Sequence, residues 1–146
     1  MTVVGAERSA AAGKAVDHSG LEILGEEECL ALLGAAEIGR IVFTDRALPA
    51  IQPVNFTLHE GTIVIRTSPG SRLSTGAAGT VVAFEIDDFD VAARTGWSVV
   101  VVGRARVVTA PEESAALEAL GLRTWAPGER DRFISVRPEI VSGRRI

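Results

Sequence analysis

The feature that most constrains this chain is a change of character at Ile38, after which β-branched and aromatic residues gather in short runs separated by turn formers. Such runs are the mark of an all-β barrel or sandwich, because branched and aromatic side chains suit a pleated, half-buried surface. They predict strands over 39–44, 50–58, 62–67, 80–87 and 97–109, and a last one over 131–136 with Pro138 after it. Asp45 to Pro49 and His59 to Gly61 carry the turn chemistry that joins the first three into a meander. In the second strand Gln52, Val54, Phe56 and Leu58 share one face, and Ile51, Pro53, Asn55 and Thr57 share the other. Pro53 has no N–H for a ladder, so that strand is an edge or carries a bulge. The fifth strand contains an unbroken Val99 to Val102, which asks for cover on both faces, and Gly103 suggests a bend at a barrel corner. A second copy of the chain is the simplest cover.

Two short helices flank this β body. Glu26, Glu27 and Glu28 favour the positive end of a helix, and Cys29, Leu30, Leu33 and Ala36 follow at helical spacing, ending near Gly34. Thr109 and Glu112 match a capping box ahead of Ala115, Ala116, Leu117 and Leu120, closed by Gly121. Residues 1–20 lack periodicity and are expected to form a flexible tail, leaving 21–146 as one domain. One hydrophobic core suffices for a chain of 146 residues.

Composition removes several function classes. A net charge of −4 offers no positive field to nucleic acid or to an anionic membrane surface. Uncharged apolar runs such as Trp97 to Val102 are far too short to span a bilayer, and charges interrupt the N-terminal stretch where a signal peptide would need an apolar core. The lone Cys29 rules out an internal disulfide, suits a cytoplasmic protein, and reads as a small core residue. His18 and His59 are the only histidines; they give neither metal-ligand spacing nor a Ser-His-Asp arrangement, so no metal is expected. Asp87, Asp88 and Asp90 read as a solvated turn.

Chemistry is best served by residues 63–79, where a strand feeds Ser68-Pro69-Gly70 and then a helical stretch opening at Ser71-Arg72. Such a turn gathers backbone N–H groups at one point, and Thr67, Ser68, Ser71 and Arg72 add hydroxyls and a cation. The set suits a phosphate monoester, though it is not a P-loop. The same residues would equally make an ordinary N-cap with a solvated arginine.

Leu48-Pro49 through Pro53-Val54-Asn55-Phe56, Ile65-Arg66-Thr67 with Gly70-Ser71-Arg72, Gly96-Trp97-Ser98-Val99 through Gly103-Arg104-Ala105, and the terminal Arg137-Pro138 and Gly143-Arg144-Arg145 resemble, in order and spacing, the signatures of the pyridoxamine 5′-phosphate oxidase-related flavin-binding proteins. The resemblance spans about Leu21 to Ile146. It implies a mainly β split barrel that forms a homodimer with two flavins, FMN first, at the subunit interface. It further implies that Val54, Asn55 and Phe56 run past the flavin ring, that Arg66, Thr67, Ser71 and Arg72, with Ser68 beside them, hold the ribityl phosphate, and that Trp97 and Ser98 reach the ring from the other subunit. Val54, Asn55 and Leu73 stand about where the oxidase itself has basic residues, and no Arg-x-His pair lies near the C-terminus, so oxidation of pyridoxamine phosphate is not expected. What the resemblance implies instead is an FMN-dependent oxidoreductase reducing a small electrophilic substrate, with no catalytic side chain assignable. The alternatives are a deazaflavin-dependent reductase and a non-catalytic flavin or haem module that stores its ligand. Haem is disfavoured because neither histidine is placed as an axial ligand.

Overall fold

The computed structural model describes residues 2–3, 14–128 and 130–146. Among the described residues eight strands and three helices follow one another as β1 (Thr2–Val3), β2 (Glu22–Leu24), α1 (Glu26–Ala35), β3 (Ile38–Asp45), β4 (Leu48–His59), β5 (Thr62–Thr67), α2 (Arg72–Ala77), β6 (Val81–Asp90), β7 (Thr95–Val108), α3 (Pro111–Glu118) and β8 (Arg132–Arg145). The order β8-β5-β4-β3-β6-β7 closes on itself because β7 also pairs with β8, making an antiparallel barrel. The expected mainly β split barrel is therefore the observed architecture.

The closure depends on a β8 far longer than the sequence suggests. The expected strand stopped before Pro138, yet β8 runs through it to Arg145. A bulge makes this possible: Val102 pairs with Ile140 and Gly103 with Pro138, which leaves Glu139 unpaired where the proline enters. Gly103 is required there, since a Cβ on it would lie 1.9 Å from the Arg137 carbonyl oxygen. The bend expected at Gly103 is thus a close passage of two backbones.

β4 begins earlier than expected, at Leu48, because Arg46 and Ala47 both adopt left-handed φ (51° and 66°) in a two-residue turn. The Phe56 N–H reaches the Glu37 carbonyl at 3.1 Å, toward β3. Odd-numbered residues of β4 therefore turn their backbone groups the other way. On that side β5 covers only Phe56 to His59, so Pro49 and Pro53 both face an unpaired edge, which is the split in the barrel.

Even-numbered residues of β4 face inward, as the alternation predicts. Phe56 meets Phe84 edge to face at 4.7 Å within a core that includes Ile41, Ile63, Ile65 and Val101. Full burial of such side chains stabilises by roughly 1.5–3 kcal/mol each. Cys29 lies in this core against Leu24, as expected, and burial pushes its thiol pKa up, reinforced by Glu28. A second cluster of Val64, Val108, Leu117 and Phe133 seats α3 beside β5 and β8.

The expected capping box is absent: α3 starts after Ala110 without a side-chain cap, with Pro111 supplying a preset φ. Within the expected tail, the Ile23 N–H bonds the Ala15 carbonyl at 2.8 Å, and Asp17 accepts from Arg144 Nε at 2.8 Å. Residues 4–13 of that stretch lie outside the described residues. No helix among the described residues is long and apolar enough to cross a membrane.

Candidate functional site

β5 delivers Thr67 to the foot of the split, where its hydroxyl lies 3.0 Å from that of Ser71. Gly70, at φ +71°, turns the chain so that Ser71 can cap α2, accepting the Ser74 N–H at 3.0 Å. The carbonyl of Ser68 accepts the Ser71 N–H at 3.3 Å across this turn. Arg72 points outward: its side chain is 75% exposed and its Nε donates to Asp45 Oδ2 at 2.7 Å. Thr67 and Ser71 are thus locked together, and Arg72 stands beside them on the surface.

The split itself opens as a cleft of about 70 Å³. Val54 and Asn55 from the open edge of β4 form one wall, Arg66 and Thr67 from β5 form the other, and Thr124, Ala126 and Arg130 lie over them. The covering segment is tied down from both walls. Asn55 Oδ1 accepts the Trp125 N–H at 2.8 Å. Arg66 donates from Nη2 to both Glu118 oxygens at 2.8 Å, from Nη1 to the Leu122 carbonyl at 3.2 Å and from Nε to the Arg130 carbonyl, while its guanidinium sits 5.2 Å from the centre of the Phe133 ring. Arg130 Nε is buried and has no hydrogen-bond partner among the described residues. A buried donor left unmade costs about 1–3 kcal/mol, and Arg130 is a residue of the cleft lining.

Of the residues singled out from sequence, Val54, Asn55, Arg66 and Thr67 meet at one cleft, with Ser71 bonded to Thr67. Phe56 does not line it, since its side chain is 3% exposed in the core, but it borders a neighbouring hollow of about 490 Å³ together with Glu37, Asn55 and Trp125. Arg66 is engaged by protein acceptors rather than presented to a ligand. Trp97 packs partly against the core and lines a separate hollow with Phe89, Asp88 and Arg145. It stands three strands from Val54, about 14 Å around the barrel at 4.8 Å per strand. Ser98 faces outward between Asp87 and Arg144. Within one chain, then, Trp97 and Ser98 do not meet the cleft. Sequence reasoning passed over Glu118, Thr124, Trp125 and Arg130; the available signal was a stretch without periodicity that carries a tryptophan and two arginines, Arg123 and Arg130, between two regular elements.

The outer face of the sheet carries a second pattern. Ile51, Val42, Ala83, Val102 and Ile140 are paired in register across five strands, with Ile51 70% and Ile140 40% exposed. Beside this apolar row Arg40 contacts Asp87 at 3.0 Å and Glu85 at 3.6 Å. Burial raises the Glu85 pKa, helped by the bond and charge of Asp87 and opposed by Arg40.

Comparison with known proteins places these features. A family model described as pyridoxamine 5′-phosphate oxidase matches residues 25–145. The uncharacterized protein Rv0080 of Mycobacterium tuberculosis is 43% identical over 128 residues, 84% of each chain. The FAD binding protein of Mycobacterium smegmatis superposes with a TM-score of 0.70 at 35% identity, over 85% of this chain and 97% of its own. A conserved protein of unknown function from Corynebacterium diphtheriae superposes with a TM-score of 0.71 at 32% identity, over 85% and 96%. With the family match running from α1 to the end of β8 over an observed split barrel, this chain belongs to the pyridoxamine 5′-phosphate oxidase family.

Proposed function

We propose that the cleft at the barrel split binds a flavin phosphate and that the chain works as a homodimeric flavin-dependent oxidoreductase. The observation that carries this reading is Arg130, which lines the same cleft as Val54, Asn55 and Thr67 and whose buried Nε has no hydrogen-bond partner among the described residues. Donors of this kind fit a phosphate: the Thr67 and Ser71 hydroxyls and the Arg130 and Arg72 guanidiniums can share its three terminal oxygens. A family relative named for FAD binding supports the flavin, and FMN and FAD share the ribityl phosphate that these residues would hold.

A cleft of 70 Å³ is smaller than the roughly 300–1,000 Å³ of an ordinary ligand pocket. The flavin ring would need the space on the far side of Trp125 as well, a hollow of about 490 Å³ bordered by Glu37, Asn55, Thr57 and Leu122. When bound, the flavin supplies the hydride chemistry. The chain's part is to hold the ring along Val54 and Asn55 and to exclude water with Trp125. Among the described residues the 70 Å³ cleft itself is lined by no carboxylic acid, histidine or thiol, and Glu37 is the carboxylic acid that borders the larger hollow, so a quinone, nitro or enone-like electrophile would take its proton from solvent or from Glu37.

The dimer completes this reading. The apolar row from Ile51 to Ile140 begins one strand residue from the cleft wall at Gln52, so a second copy seated there would bring its own outer face, including Ser98, toward the site. An isologous contact of one apolar row against its copy also lets the Arg40, Glu85 and Asp87 groups lie at its margin. The absorbance spectrum of the purified protein tests the reading. The two-banded near-ultraviolet and blue spectrum of a flavin is expected. A single violet band would replace flavin with a deazaflavin, a Soret band with haem, and a colourless protein that takes up no added flavin would overturn the proposal.

A further inference from the structure

We propose that a cavity beneath α3 is a binding site for a small neutral compound with an apolar body and one hydroxyl or carbonyl oxygen, and that its occupant steadies the segment covering the cleft. The cavity has a volume of about 390 Å³, within the range of ordinary ligand pockets. It shares none of its described lining residues with the cleft, so the inference does not depend on what the cleft binds.

Strand register builds the floor. Ser135 on β8 is paired with Val64 of β5 on one side and with Arg106 of β7 on the other, so the three side chains share one face of the sheet. Ala116 and Leu117 of α3 close the space from above. Val64 and Leu117 are buried and give it an apolar surface. Ser135 is 8% exposed, and its hydroxyl makes no hydrogen bond among the described residues. A hydroxyl buried in that state gains from a ligand oxygen that pairs with it. The charges around the cavity already answer each other. Arg106 donates from Nη1 to one Glu113 oxygen at 3.0 Å and from Nη2 to the other, which holds the Glu113 carboxyl below its ordinary pKa. His59 and Glu60 stand 4.0 Å apart at the rim, where Glu60 is 85% exposed. An ionic ligand would give up its water and find no free counter-charge on the floor, so a neutral one fits. The helix above also carries the link to the cleft. α3 ends at Glu118, which accepts from Arg66 Nη2, and Arg66 Nη1 holds the Leu122 carbonyl at 3.2 Å. An occupant that adds contacts to Ala116 and Leu117 therefore restrains the helix from which the covering segment runs.

The test adds 2-naphthol, a neutral two-ring alcohol, to the isotopically labelled protein and follows its backbone amide resonances. Saturable shifts at Val64, Leu117 and Ser135 are expected, with a dissociation constant below about 1 mM. The charged analogue 2-naphthoate should bind about tenfold or more weakly. Ser135→Ala should weaken 2-naphthol about two- to tenfold, the worth of one hydrogen bond, with little change in melting temperature. Ala116→Phe sets a ring in the mouth from an exposed position, so that variant should fold normally and bind no probe. Bound 2-naphthol should slow protease cleavage within residues 119–128 of the wild type and leave that of Ala116→Phe unaltered. Shifts confined to other residues, or an Ala116→Phe variant that binds like the wild type, would overturn the site. Binding of 2-naphthoate as tight as that of 2-naphthol would overturn its neutral character, and wild-type cleavage unmoved by saturating probe would overturn the link to the covering segment.

Discussion

Asn55 on β4 holds the main chain of Trp125, seventy residues away, through a 2.8 Å bond from the Trp125 N–H to its side-chain oxygen. The bond sets the height of the segment that lies over the cleft. A neutral hydrogen bond of this kind contributes about 0.5–1.5 kcal/mol, too little to decide the fold and enough to decide where a loop rests. Asn55→Ala should therefore leave the melting temperature nearly unchanged while speeding protease cleavage within residues 119–130. In a Trp97→Phe background, where Trp125 is the remaining indole, added flavin should quench fluorescence, and Asn55→Ala should lessen that quench. Identical cleavage kinetics in the two proteins would show that Asn55 does not position the segment.

Arg72 gives the sharpest prediction about the cofactor phosphate. Its ion pair with Asp45 is exposed, so Arg72→Ala should barely alter stability. Bonds to a charged group are worth roughly 1.5–3 kcal/mol, so FMN binding should weaken about ten- to a hundredfold or more. Arg72→Lys should recover only part of the loss. Riboflavin, which lacks the phosphate, should bind both proteins alike; equal losses for riboflavin and FMN would assign Arg72 a role other than phosphate binding.

Ile51 tests the dimer. It is 70% exposed in the single chain, so Ile51→Asp cannot damage the core. If the apolar row is covered by a second copy, light scattering should move from twice 15.3 kDa for the wild type to 15.3 kDa for the variant at micromolar concentration, with flavin affinity falling in parallel. A wild type that is already monomeric, or a variant that still pairs, would remove this face from the interface.

Asp17 ties the residues before β2 to β8 and should make that tie acid-sensitive. Burial raises its pKa, but the N–H groups of Leu21 and Ser19 and the Arg144 guanidinium outweigh it, and the net shift is downward. A carboxylate with a depressed folded pKa adds stability that is present above its unfolded value, about 3.9, and is lost as pH falls through the folded value. Wild type and Asp17→Asn should therefore differ in melting temperature at pH 7 and converge in strong acid. A constant difference across that range would mean that ionisation of Asp17 is irrelevant to the tie.

Much of the barrel was legible because its strands are local patterns. The run 62–67 coincides with β5, and the alternation that put Val54, Phe56 and Leu58 on one face of β4 correctly marked the inward side. What alternation could not tell was that Phe56 packs its ring on Phe84 and borders the hollow beyond Trp125 rather than the small cleft. The second half of β8 was hidden because Pro138 reads as a stop, and only Gly103, distant in sequence, makes room for the bulge that carries the strand past it. The covering segment was hidden for a related reason. Residues 119–131 have no periodicity of their own in the sequence, and Leu122, Trp125 and Arg130 are held in place by Arg66 and Asn55 on other elements. Tertiary tethers leave little trace in a local pattern.

The two prolines of β4 have a further consequence. A barrel that stays open along one seam presents a row of unused backbone groups, which in most proteins invites a foreign strand to dock and seeds aggregation. Here the outward donors fall at positions 49, 51, 53 and 55, and the prolines at 49 and 53 delete every second one. A strand approaching from another molecule would find a ladder with alternate rungs missing. The chain can thus keep an entrance beside Val54 and Asn55 permanently ajar in a crowded solution without that entrance becoming adhesive.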